Sequence, residues 1–118
     1  MNLAIDKMQD LWVSVCSPQD ITPGTGVCAL VGGRQVALFC CRQTQAFYAI
    51  DNFDPIGGAS VLSRGIMGSI AGEPVVASPL YKHYFNLNTG RCIQTPEHQL
   101  NTYPVRISGT EVQIGINS

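Results

Sequence analysis

Histidine, cysteine and carboxylate side chains hold metals and move protons, and this chain of 118 residues spends them sparingly. Its two histidines, His83 and His98, stand at no spacing from a serine and a carboxylate that suggests a nucleophilic triad. Five cysteines, Cys16, Cys28, Cys40, Cys41 and Cys92, contain no C-x-x-C pair. Cys40 and Cys41 are adjacent on an expected strand, where successive side chains point to opposite faces, so they cannot easily share one zinc ion. An odd, unpaired set reads as reduced thiols, most of them small buried hydrophobes. Gly57-Gly58 opens no recognisable helix, so a nucleotide-binding fingerprint is not supported. Two segments stand out instead, Asp51 to Leu62 and Ser78 to Gly90, carrying Asp54, Ser78, Tyr81 and His83, with Arg64, Lys82 and Arg91 on or beside them.

These segments must be positioned by strands. Short apolar runs punctuated by turn residues predict an all-β domain, with strands at Leu11 to Cys16, Val27 to Val31, Gln35 to Cys41, Ala46 to Ile50, Pro74 to Ala77, Tyr84 to Asn86, Tyr103 to Ile107 and Glu111 to Ile116. Gly32-Gly33 supplies the positive φ angles of a tight hairpin, and Ser108-Gly109-Thr110 closes the last pair. Ser17 to Gly24 offers turns and one short helical turn. Phe53 to Gly72 is rich in glycine with little strand character and reads as a long ordered loop or a set of turns. Gln94 to Tyr103 is polar and is expected to wrap over the sandwich. No internal repeat or linker divides residues 1–118, which read as one domain.

At 45% hydrophobic and 13% charged residues the chain is suited to one compact core. Seven Lys+Arg against eight Asp+Glu remove the electrostatic footprint of a nucleic-acid binder. No apolar run approaches the roughly 20 residues that span a bilayer, and Met1 to Asp10 lacks the order of a signal peptide. A cytoplasmic protein with no nucleic-acid or membrane partner is expected.

In outline the two segments resemble the ligand loops of Rieske domains, C-P-H-x-G-A and C-P-x-H-x-x-x-F-D-L-x-T-G. The resemblance implies a Rieske-like (ISP-type) antiparallel β-sandwich in which two long loops replace the cluster-binding loops. The four ligand positions here read Asp54, Ile56, Ser78 and Tyr81. A Rieske centre needs two thiolates and two imidazoles. Isoleucine has no electron pair to donate, and serine and tyrosine would have to act as alkoxide and phenolate. No metal is therefore expected on this chain, which reads as a scaffold that outlived its cofactor.

Over nearly its whole length the chain resembles the small subunits of cytoplasmic NAD(P)H-dependent assimilatory nitrite reductases. The likeness rests on Trp12-Val13-Ser14-Val15-Cys16, Ile21-Thr22-Pro23-Gly24-Thr25-Gly26-Val27, Gln35-Val36-Ala37-Leu38-Phe39, Tyr48-Ala49-Ile50-Asp51-Asn52, Leu62-Ser63-Arg64-Gly65-Ile66, Pro74 to Lys82 and Thr89-Gly90-Arg91-Cys92. The resemblance implies a large-subunit partner that carries FAD, sirohaem and an iron-sulfur cluster and reduces nitrite to ammonium. The small subunit would be an accessory without catalytic residues of its own. Two other classes compete with it: a free-standing interaction module of Rieske fold, and an electron-transfer ferredoxin with atypical ligands such as Asp54 and Cys92.

If the loops meet in space, Arg64, Lys82, His83 and Arg91 would form a small basic tip able to dock an acidic patch on a partner. Tyr81 is expected to fill the space of the missing imidazole, its hydroxyl reaching Ser78 or backbone groups. Phe85 should be core, opposite Tyr84 on its strand. Asn52 and Asp54 are good turn-forming residues.

Overall fold

The computed structural model describes residues 10–117; the stretch Met1 to Asp10, read above for a leader signal, lies outside it except for Asp10. Twelve strands follow one another: β1 (Asp10–Cys16), β2 (Gly26–Val31), β3 (Arg34–Cys40), β4 (Phe47–Asp51), β5 (Phe53–Asp54), β6 (Ala59–Ser60), β7 (Ile66–Ile70), β8 (Glu73–Ala77), β9 (Tyr84–Asn86), β10 (Thr102–Tyr103), β11 (Val105–Ser108) and β12 (Glu111–Asn117). Short 3-10 turns occupy Pro18–Asp20 and Leu62–Arg64. The first is capped by Ser17, as its turn-rich sequence suggests. All strand pairs are antiparallel, in sheets ordered β1-β12-β11, β10-β4-β3-β2, β5-β6 and β7-β8-β9.

The four-stranded sheet is packed on both faces, and β3 shows why. Residues Val36 to Cys40 are all buried, an unbroken apolar run that strand alternation splits between two sides. Ala37 and Phe39 join Ile50, Leu62, Val76 and Phe85 in one core cluster, which ties the central sheet to β8, β9 and the 3-10 turn at Leu62. Val36, Leu38 and Cys40 join Val112 and Ile114 of β12 in the other. Full burial of a side chain such as Phe39 or Phe85 stabilises by roughly 1.5–3 kcal/mol, so the site-bearing sheet is anchored by its own core. Phe85 is fully buried and its neighbour Tyr84 half-buried, as alternation requires.

Three features differ from the sequence reading. The glycine-rich segment is not merely loop: Ile66 to Ile70 forms β7, paired with Glu73 to Ala77 from Ile66↔Ala77 to Ile70↔Glu73. Its hairpin turn is Ala71-Gly72, both at positive φ (52° and 82°), and alanine there gives no turn signal in the sequence. The run Tyr103 to Ile107 is broken at Pro104, which has no N–H for the ladder, into β10 and β11. Only Cys40 and Cys92 are buried; Cys16 and Cys41 are intermediate, and Cys28 is exposed because β2 is the edge strand of its sheet.

Candidate functional site

The first loop leaves β4 through Asn52, a buried amide that staples both of its ends. Asn52 accepts from the Ser63 N–H at 2.7 Å through Oδ1 and donates to Gln35 Oε1 at 3.1 Å. Its carbonyl accepts from the Leu62 N–H at 3.0 Å. Within the loop, Asp54 is fully buried and folds the chain around itself, its Oδ1 accepting from the N–H groups of Ile56 (2.8 Å) and Gly57 (3.0 Å). Turn-making by a short carboxylate is what the sequence led one to expect; complete burial is not.

The second loop begins where β8 ends. Ser78, 1% exposed, donates from Oγ to Asp54 Oδ2 at 2.5 Å and accepts from the Leu80 N–H at 3.2 Å. Its own N–H donates to the His83 carbonyl at 2.8 Å and closes the loop. Leu80 lies over Gly57, where a Cβ would come within 2.7 Å of Leu80 Cδ1 and 3.0 Å of Asp54 Oδ2. Glycine is therefore what lets the loops touch. Between Leu80 and His83 the backbone passes through two left-handed residues in succession, Tyr81 at φ 56° and Lys82 at φ 54°. For side chains with a Cβ this conformation costs about 1–2 kcal/mol each.

The four motif positions thus have three different fates. Asp54 and Ser78 are bonded to each other, and half-buried Ile56 packs against the core cluster of Phe39 and Phe85. Tyr81 does not fill the space of an imidazole: it is 77% exposed, because its left-handed backbone turns the side chain outward, and its hydroxyl makes no hydrogen bond among the described residues. These residues do not fit an iron-sulfur cluster. Two are consumed by their mutual bond, one lacks an electron pair, and the fourth faces away. Among the described residues no group of three or more His, Cys, Asp or Glu side chains is placed to hold a metal ion. Cys92, fully buried, accepts from Thr95 Oγ1 at 3.2 Å and lies alongside β9 through the Phe85↔Cys92 bridge.

The basic residues are distributed along the sheet β7-β8-β9. Lys82 is exposed and His83 half-buried in the second loop, with His83 Nδ1 buried and without a hydrogen-bond partner. Arg64, exposed, precedes β7, whose first residue pairs with the last of β8, so it lies at the same end as Ser78. Arg91 is exposed at the other end of β9: its carbonyl accepts from Asn86 N–H, while Ile93 N–H reaches the Tyr84 carbonyl. Asn52, Gly57 and Leu80, which hold the loops in place, carry no catalytic or ligand signature and were not singled out by the sequence as site residues.

A Rieske-like [2Fe-2S] domain family matches residues 11–115. The chain belongs to this family. Within it the likeness is to nitrite reductase small subunits. The "Nitrite reductase (NADH) small subunit" of Salmonella typhimurium is 45% identical over 103 residues, 87% of this chain and 95% of that one. The NMR structure of the E. coli protein NirD matches with a TM-score of 0.84 and 40% identity, covering 92% of this chain and 99% of that chain. A third relative, the "Nitrite reductase [NAD(P)H] large subunit" of Klebsiella oxytoca, is 39% identical over 104 residues, which are 88% of this chain and only 11% of the relative. There, a segment like this chain lies inside the polypeptide named as the large subunit.

Proposed function

We propose that this chain is the non-catalytic small subunit of a cytoplasmic NAD(P)H-dependent nitrite reductase in nitrate assimilation. Its large subunit carries FAD, sirohaem and an iron-sulfur cluster and reduces nitrite to ammonium. The observation that carries this reading is the 45% identity spanning 95% of a named small subunit. The Klebsiella oxytoca relative supports the pairing, since joining the two parts in one polypeptide keeps them together at high effective concentration.

The chain contributes contacts rather than chemistry. Neither loop offers a thiolate or imidazole at the motif positions, so its role is to dock and to fix the relation of the large subunit's flavin and sirohaem parts, or to cover a path that would leak electrons to oxygen. Lys82, His83 and Arg64 make the docking contacts at the loop end, with Arg91 flanking from the far end of β9.

The test is a tagged pull-down of this chain from nitrate-grown cells of its source, with protein identification and a visible spectrum of the eluate. A large partner with flavin and sirohaem bands is expected. A colourless chain with a different partner overturns the reading in favour of a general interaction module, and iron and sulfide in the lone chain overturn it in favour of a ferredoxin.

A further inference from the structure

We propose that Tyr81 is the anchor by which this chain seats on its large subunit, inserting into an apolar pocket edged by carboxylates. The proposal rests on the small-subunit reading and names the contact. Its starting point is a mismatch: an aromatic side chain 77% exposed stands at φ 56°, followed by a second left-handed residue, Lys82, at φ 54°. Glycine or asparagine would hold such a backbone with less strain, and nothing inside the described fold uses the ring. Strain kept at a site that the fold does not need points to a use outside it.

The loop that carries the ring is pinned at its base. Ser78 N–H closes it on the His83 carbonyl, Ser78 Oγ ties it to Asp54, and Leu80 lies on Gly57. A tyrosine projecting from a pinned loop presents a large amphipathic area with only two side-chain torsions to immobilise, which is why this residue type is enriched among binding hot spots. Ile93, 42% exposed, adds apolar surface at the root of the loop through its backbone bond to Tyr84.

Charge defines the rim. Arg64 and Lys82 are exposed at this end of the sheet. Between residues 55 and 96 the sole carboxylate is Glu73, which pairs with Ile70 at the opposite end of the β7-β8 hairpin; exposed Glu97 comes next, beside His98, whose carbonyl accepts from the Cys92 N–H alongside β9. Asp54 is buried and turned to Ser78. A cationic edge around an aromatic knob complements an apolar pocket with carboxylates at its lip.

The test measures binding of the full chain to the purified large subunit of the same organism by titration calorimetry, with thermal melts of each variant. Tyr81→Gly relieves the left-handed strain and deletes the ring; it should melt at or above the parent temperature and bind at least about 30-fold more weakly, the loss that a hot-spot side chain produces. Tyr81→Phe should stay within about threefold of the parent, because the hydroxyl has no partner in the fold and the ring carries the contact. Tyr81→Asn serves as the second ring deletion if the glycine variant fails to fold. Parent-like binding by both ring deletions overturns the anchor and leaves the small-subunit reading standing, and equal losses for Phe and Gly overturn the role of the ring. Failure of the parent chain itself to bind overturns both.

Discussion

Ser78 Oγ donates to Asp54 Oδ2 at 2.5 Å, and this single bond joins two loops whose partners stand 24 residues apart. Both are first positions of their Rieske-like motifs, so residues that would face a cluster face one another instead. The buried pair also organises backbone on each side, because Asp54 Oδ1 takes the N–H groups of Ile56 and Gly57 and Ser78 Oγ takes that of Leu80.

That arrangement predicts an asymmetric mutational response. Ser78→Ala leaves a buried carboxyl oxygen without its donor and should destabilise by about 2–3 kcal/mol. Asp54→Ala removes the acceptor of three hydrogen bonds and should cost more. Asp54→Asn keeps an acceptor for the two backbone N–H groups but turns an amide donor on Ser78, whose buried hydroxyl proton loses its acceptor, so it should cost about 1–2 kcal/mol, less than Asp54→Ala. Urea unfolding with a common m-value would read the three directly; equal losses for all three variants would contradict the geometry.

Two left-handed glycines separate strain from space. At Gly58, φ 76°, an added Cβ would meet no atom within 4 Å, whereas a Cβ on Gly90, at φ 78°, would come within 2.1 Å of the Leu100 carbonyl oxygen. Gly58→Ala should therefore cost about 1 kcal/mol, the left-handed penalty alone. Gly90→Ala should cost upwards of about 3 kcal/mol, since backbone must shift and the 2.8 Å bond from Leu100 N–H to the Gly90 carbonyl is strained with it. Thermal melts of the two variants side by side check the difference.

Much of this was legible in the sequence, and the failures have physical causes. β3 could be read from its apolar run, and the Gly32-Gly33 hairpin from its turn chemistry, because both signals are local. β7 was lost because Gly68 and Ser69 depress strand character and Ala71 occupies a conformation its type seldom adopts. The four vacated motif positions were visible as residue types. What those residues touch was not: the Asp54 to Ser78 bond depends on how two distant loops meet, and the outward turn of Tyr81 depends on two left-handed residues with no glycine to announce them.

Tyr103 gives the fold a defined alkaline limit. Its hydroxyl donates to Asp51 Oδ1 at 2.6 Å, and desolvation first, then that hydrogen bond, raise the phenol above its ordinary value of 10.0, with Arg34 opposing. A group whose folded pKa is raised stabilises fully below the unfolded pKa and loses that contribution as pH rises through the folded value. Stability should accordingly be flat with respect to this group near neutrality and fall above about pH 10, where a phenolate would face the Asp51 carboxylate. Tyr103→Phe should melt lower than the parent at pH 7 and show a shallower decline between about pH 9 and 11. A parallel decline in both proteins would assign the alkaline limit elsewhere.

Charge reversal tests whether the loop end, rather than the whole basic set, makes the contact with the large subunit. Lys82 and Arg64 share one end of the β7-β8-β9 sheet, and Arg91 stands at the other end of β9. All three are exposed, so reversal should leave the melting temperature within a degree or two of the parent. Lys82→Glu combined with Arg64→Glu should weaken association about tenfold at low salt, chiefly by slowing the on-rate, and the difference should shrink as salt screens it. Arg91→Glu should change it by less than about threefold once salt is raised to about 0.15 M, because Arg91 is bonded to Asn86 at the far end of β9 and is outside the loop-end contact. Surface-plasmon measurements at two ionic strengths separate these cases. A larger effect at Arg91 than at the Lys82 and Arg64 pair would move the contact to the far end of the sheet.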